Sequence, residues 1–488
     1  MALSEVELVE GDAEPSAGAP HAQPRRRGRW LVAAGAVVVV GGLLAGGQAV
    51  LDARERAHQA RFDDVPGVLA PVSATPRVLW SQDVDDSGSA PLDGAIVAGS
   101  RLVVAKTEGD TYTIRGVDRT SGHDAWTVSG TVDLPPDNDD SYVECQPVGG
   151  GPRVACVVEP DHRSDQMPRP ALVVVDATNG AVTARRPVSE ELWAAGNGEI
   201  VTATSTTVGN EVTWTVEARD TSGEPVWHRT LAAVAVPAPT NDPDNSHFDE
   251  TALHASGGMV VLAAARHLWW LDGGATVAED VLARDTTTEL LDGVLLRTPW
   301  EIAVLPDGSI TQGPRSTVTL QPPGHTQTRV DGDLVRPSVD DGSADAVLTR
   351  DGTGLMTAHD ATSGRVRWTL PQGWITPMIL GGVVYALVGD DGLSLVALDA
   401  RTGERRWTQD LTRSGWNQLQ TLATDGRYVY AAGPDSMVPF AIDDGTQQPV
   451  RDLPATSGRF PIADASSGML TVRTADADGN VNRITAVG

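Results

Sequence analysis

Ser394–Trp407 reads S-L-V-A-L-D-A-R-T-G-E-R-R-W, and this stretch sets the fold. Leu395, Ala397 and Asp399 alternate with Val396 and Leu398, as side chains on the two faces of a strand do. The Asp-x-x-Thr-Gly that follows has the chemistry of a tight turn: a carboxylate accepts turn N–H groups, and glycine tolerates positive φ. Arg405–Asp410 then reads as a return strand carrying Trp407. The unit is a β-hairpin with a large aromatic at a fixed place on its second arm.

The chain repeats this unit. Asp360, Gly364 and Trp368 have the spacing of Asp399, Gly403 and Trp407, and so do Asp118, Gly122 and Trp126. Asp220, Gly223 and Trp227 form the same device one residue shorter. Asp176 and Gly180 keep the turn but have Ala184 in the tryptophan position. Fainter echoes stand at Leu271-Asp272-Gly273-Gly274 and Ile442-Asp443-Asp444-Gly445. Strand-built repeats at a period of roughly 40 to 50 residues, with no helical pattern between them, are the signature of propeller blades.

The pattern A-x-D-x-x-T-G-x-x-x-W, clearest over Ala397–Trp407 and, with Ser363 in the threonine position, over Ala358–Trp368, resembles the tryptophan-docking repeat of the PQQ-like (pyrroloquinoline quinone-like) β-propeller family. That family contains quinoprotein dehydrogenases and cofactor-free scaffolds, among them the propeller lipoprotein of the bacterial outer-membrane assembly machinery. The resemblance covers residues 77–488. It implies that each repeat tryptophan docks on the neighbouring blade, which makes the Asp, Gly and Trp positions structural. It also implies that a quinone-binding member would show adjacent cysteines, a calcium site of acidic and amide groups, and a catalytic aspartate. Cys145 and Cys156 are not adjacent, and no aspartate matches such a catalytic motif. The expectation is a propeller without PQQ or calcium, a non-enzyme; a divergent dehydrogenase is the alternative.

Modules are legible near 95–129, 148–188, 198–232, 257–283, 292–314, 344–372, 380–412, 426–454 and 467–488, of which the two short ones, 257–283 and 292–314, read as one irregular blade. Eight blades of about 51 or 52 residues are therefore expected, with seven or nine as alternatives. Arg77–Val84 is a Trp80-bearing return strand with no hairpin before it, and the chain ends on two strands with no return strand after them. The N-terminal strand is expected to complete the last blade and so remove two sheet edges.

Residues 1–29 lack an apolar period and read as a disordered cytoplasmic tail ending in Arg25, Arg26, Arg27 and Arg29. Trp30–Leu51 contains no charged residue and is long enough to cross a hydrocarbon layer of about 30 Å as a helix. The arginines before it place the N-terminus inside and the propeller outside the cell membrane; a cleaved signal peptide is the rival reading. Residues 52–76, with Pro66, Pro71 and Pro76, read as a stalk. Gly42 and Gly46 lie four apart on one helix face, a spacing that permits a helix-mediated dimer.

The formal charge of -28 and pI near 4.6 disfavour nucleic acid and anionic lipid as partners. Lys106 is the only lysine and lacks the glycines of a phosphate-binding loop, which excludes P-loop chemistry. Cys145 and Cys156 flank a Gly/Pro-rich turn and either form a disulfide, worth at most about 3 kcal/mol for so short a loop, or remain buried thiols. Acidic clusters at 137–140, 242–245 and 476–480 offer calcium-type oxygens without a full calcium loop. The proline-rich connections 159–170 and 237–250 are candidate binding loops. In Trp269-Trp270 alternation sends one ring to the core and leaves the other as a platform, while Trp193, Trp300, Trp374 and Trp416 stand outside the repeat as candidate ligand contacts. Together these features point to a membrane-anchored, extracytoplasmic binding or scaffolding module with envelope protein partners, or to a ligand-sensing ectodomain.

Overall fold

The structure, a computed structural model, describes residues 61–488 apart from 63–64, 84–94, 133–140, 150, 161–169, 188–191, 197, 237–249, 257, 292, 305–309, 315–316, 323–326, 372–376, 390–392, 412–420, 434, 455–458, 465–467 and 476–480. The chain divides into two units, Met1–His58 and Gln59–Gly488. The first lies outside the described residues, and with it the expected tail, the span 30–51 and the Gly42/Gly46 pair. Among the described residues no helix is long and apolar enough to cross a membrane.

The second unit is an all-β propeller of nine sheets. Blades 1 to 9 take their strands from 96–131, 141–187, 192–235, 252–281, 286–331, 333–370, 378–410, 421–452 and 459–487, in that order. Blade 7 gains a short parallel strand, Val339–Asp340, beside Met378–Leu380. Val78–Asp83 is the outer strand of blade 9, antiparallel to Val481–Val487, as the unmatched chain ends required. Arg77 and Gly488 exchange backbone hydrogen bonds of 3.0 and 3.2 Å at this junction.

The blade count corrects the expectation of eight. The stretch 292–314 looked too short for a blade because Val294–Val304 overruns its sheet and folds back on Ile310–Pro314 as an added hairpin. The third and fourth strands of that blade, Thr317–Gln321 and Thr328–Asp331, lie beyond residue 314.

The middle strands of the blades bury apolar residues on both faces. In Val383–Val388, Val383, Tyr385 and Leu387 enter the cluster shared with blade 8, while Val384 and Ala386 enter the cluster shared with blade 6. Nine such clusters occupy the nine blade-to-blade interfaces, including the one between blades 9 and 1 that contains Trp80, Leu102 and Ala486. The same logic corrects the reading of Trp269-Trp270. Both are core: Trp269 faces blade 3 and Trp270 faces blade 5, because alternation on a two-sided blade leads to two interiors.

The described part of the stretch expected as a stalk is seated on the propeller. Phe62 is buried between blades 7 and 8, and Leu69 between blades 8 and 9. Leu69 N–H donates to Thr424 O at 2.7 Å, and Gly67 passes so close to Ser338 that a Cβ would stand 2.6 Å from its carbonyl oxygen.

Candidate functional site

The repeat residues are placed first, because they account for most of the sequence signal. In the turns at Asp118, Asp176, Asp360 and Asp399 the glycine four residues on donates its N–H to the aspartate carbonyl at 2.8 Å. The side chain completes the turn. Asp399 Oδ1 accepts from Arg401 N, Thr402 N and Thr402 Oγ1, and its Oδ2 accepts from Arg406 Nη2 at 2.9 Å. These donors, Arg406 foremost, hold the carboxyl down to about 2. Asp360 is lowered in the same way by Arg367, and Asp118 by Thr120 and Ser121. In the shorter turn Asp220 accepts from Ser222 and Glu224. The echo at 442–445 is anchored one position earlier than Ile442: Gly445 N–H donates to Ala441 O.

Each repeat tryptophan lies against the turn glycine of the next blade. Trp80 meets Gly122, Trp126 meets Gly180, Trp227 meets Gly274, Trp368 meets Gly403 and Trp407 meets Gly445. Four indole N–H groups donate to the equivalent backbone carbonyl of that turn, the third residue before its glycine: Arg119, Ala177, Ala400 and Ile442. Trp227 donates instead to Glu199 Oε2. The residue directly across the strand from each tryptophan is small: Ala486, Gly116, Ala218, Ala358 and Ala397. Blade 4 inverts the pair, with Trp270 opposite Ala278, and blade 2 replaces it with Val174 opposite Ala184. This size complementarity, which the repeat spacing alone did not reveal, explains why some copies lack tryptophan.

A disulfide joins Cys145 and Cys156 across adjacent strands of blade 2, inside the cluster between blades 1 and 2. Among the described residues no group of three or more His, Cys, Asp or Glu is arranged to hold a metal ion. The acidic clusters 137–140, 242–245 and 476–480, the loop segments 161–169 and 237–249, Trp374, Trp416 and the side chain of Trp300 lie outside the described residues. Trp193 packs between blades 2 and 3.

Two polar groupings escaped the sequence reading. On the inner strands of blades 4 and 5, His254 Nε2 lies 2.9 Å from Thr288 Oγ1, and Thr288 N–H donates to Glu250 Oε1 at 2.8 Å. Glu250 Oε2 is buried without a hydrogen-bond partner among the described residues. Burial raises the Glu250 carboxyl and lowers the His254 imidazole. Alongside, Arg336 grips Glu289 through both carboxylate oxygens.

The second grouping surrounds a cavity of about 370 Å³ between Pro71–Ala74 and blade 8, walled there by Asp425, Arg427, Tyr428, Gln448, Pro449 and Arg451. Asp425 is buried and accepts from four donors: Arg427 N, Tyr428 N, Tyr430 Oη and Val72 N. Arg451 Nη1 donates to Val72 O, Ser73 O and Tyr430 Oη. The Tyr428 ring has the guanidinium groups of Arg427 and Arg451 at 5.0 and 5.6 Å from its centre. Only the adjacency of Asp425, Tyr428 and Tyr430 on one short hairpin marks this site in the sequence.

With this geometry in place, comparison with known proteins bears on the repeat. Residues 315–487 match the PQQ-type repeat family whose description is outer membrane protein assembly factor BamB. By this match residues 315–487 carry PQQ-like repeats. Among curated proteins no significant match is found. Solved structures with a similar fold include BamB from Moraxella catarrhalis, at 16% identity and a TM-score of 0.34, covering 85% of this chain and 99% of that one. A europium-containing methanol dehydrogenase follows at 10% identity and a TM-score of 0.34, covering 86% and 95%. The C-terminal WD40 domain of Sif2 stands at 10% identity and a TM-score of 0.38, covering 86% and 99%. Likeness at this level, shared by an enzyme, an assembly factor and a WD40 domain, carries no argument about function.

Proposed function

We propose that this PQQ-like propeller is a non-enzymatic binding or scaffolding module of the bacterial cell envelope, free of PQQ and calcium. In this reading residues 1–29 are cytoplasmic, residues 30–51 anchor the chain in the cell membrane, and the propeller lies outside. The observation that carries the reading is where the repeat chemistry points. The described Asp and Trp side chains of the repeat face their own turn or the neighbouring blade, where the Gly positions leave room for the indoles, so the signature maintains a rigid ring whose turns and rims remain for partners. The description of the family matched by residues 315–487 supports an envelope setting.

Crosslinking of the full chain in envelope fractions, followed by purification, tests this directly, and one defined envelope protein is the expected product. Titration of the full chain with PQQ and calcium, following absorbance and melting temperature together, tests the alternative of a divergent dehydrogenase. Saturable binding with a raised melting temperature and dye-linked alcohol oxidation would overturn the proposal.

A further inference from the structure

We propose that the cavity between Pro71–Ala74 and blade 8 is a binding site for a small organic carboxylate. Arg451 lines this cavity. Its Nη1 is held by three acceptors, Val72 O, Ser73 O and Tyr430 Oη, which fixes the plane of the guanidinium. Its Nε and Nη2 have no hydrogen-bond acceptor among the described residues, and the side chain lines the cavity. An arginine locked at one nitrogen and open along its other edge is preorganised for a bidentate carboxylate, because the two free N–H groups match the spacing of the two oxygens.

The remaining walls select the body of the ligand. Asp425 is the one carboxylate lining the cavity, and its four donors leave it engaged with protein rather than with Arg451. Pro71, Val72 and Pro449 supply apolar surface, Tyr428 supplies an aromatic face, and Gln448 supplies an amide. A volume near 370 Å³ lies at the small end of the range for ligand pockets, which is about 300–1,000 Å³. The open Arg451 edge beside apolar walls suits a carboxylate with a compact apolar or aromatic body, and Arg427 on the same wall adds positive charge. In a chain of formal charge -28 a cationic cavity is also a local exception that favours an anion over the surrounding surface.

The test is calorimetric titration of the full chain in detergent with benzoate, benzyl alcohol and inorganic phosphate, paired with melting curves. Benzoate is expected to bind saturably below about 10 mM and to raise the melting temperature, and its neutral isostere benzyl alcohol to do neither. Arg451→Gln is expected to weaken benzoate at least tenfold. Because that change also loosens Val72, Ala74→Trp serves as a second variant: it fills the cavity, leaves the Arg451 hydrogen bonds in place, and is expected to abolish binding. Absence of benzoate binding overturns the proposal, as does equal binding of benzyl alcohol. Phosphate binding tighter than benzoate overturns the carboxylate class, and unchanged benzoate affinity in Ala74→Trp overturns the location.

Discussion

Gly403 meets two requirements that only glycine among the amino acids can meet together. Its φ of +70° is left-handed, and an added Cβ would stand 2.3 Å from the Cβ of Trp368 on the preceding blade. Gly99 has a similar φ of +60° with open space around it, so the pair separates backbone strain from docking. Gly99→Ala is expected to cost about 1 kcal/mol, the left-handed penalty alone. Gly403→Ala is expected to cost about 2–5 kcal/mol, since Trp368 must also give way; denaturant unfolding of both variants decides the point. A second residue-scale test lies at Glu250, raised by burial, with Thr288 and His254 beside it and Glu289 acting on His254. A carboxyl whose folded value is raised binds protons more readily in the native state, so its contribution to stability is lost as pH rises past 4.5. His254 is lowered by burial, so its contribution is lost as pH falls below 6.5. Glu250→Gln keeps an acceptor for Thr288 and removes the buried charge. It is expected to gain about 1 kcal/mol at pH 8 and nothing at pH 4, read from melting temperatures.

At the scale of the blade, the outer strand and its neighbour share a fixed volume. Trp407 stands opposite Ala397 and Trp368 opposite Ala358, but Ala184 stands opposite Val174, and the Cβ of Ala184 is 3.8 Å from the position of an added Cβ on Gly223. Ala184→Trp alone is expected to overpack against Val174 and lose about 1–3 kcal/mol, and Val174→Ala alone to leave a void costing about 2 kcal/mol. The double variant recreates the pair of blades 6 and 7. Its stability is expected to lie near that of the parent, which requires a favourable coupling of about 3–5 kcal/mol in a double-mutant cycle; strict additivity would remove the complementarity argument. The same pairing shows what was legible in the sequence. The turn at Asp399 and the tryptophan at 407 are local and could be read directly, and from them the blade and the closing strand at Trp80 followed. Blade 5 was misread because its added hairpin interrupts the local pattern at 305–314 and tertiary pairing alone joins Leu296 to Leu320. The cavity at Arg451 was invisible for the same reason: its walls are nearly 400 residues apart, as the bond from Arg451 to Val72 records.

For the whole ring, closure depends on one non-covalent seam, and two devices cross it or lie beside it. The outer strand Val78–Asp83 is paired with Val481–Val487, and Arg119 of blade 1 reaches the carbonyl of Gly468 in blade 9. The segment through Phe62 and Leu69 adds a strap over blades 7, 8 and 9, with Phe62 against Gly426 and the carbonyl of Val68 beside Gly468. A flexible stalk and a strap make opposite predictions. Ordering about ten residues costs roughly 10–20 kcal/mol in backbone entropy, so a segment that stays down must recover that through burial and hydrogen bonds. Phe62 is 8% exposed and packs among Tyr385, Leu422 and Phe440, which makes it the largest apolar anchor of the strap. Phe62→Ala is expected to destabilise the propeller by about 3–5 kcal/mol. Hydrogen exchange should then rise at Val65–Ser73 and at the hairpin around Gly426 before it rises in blades 2 to 4, because local release precedes global unfolding where anchoring is lost. Unchanged stability and exchange in Phe62→Ala would return the segment to the role of a stalk.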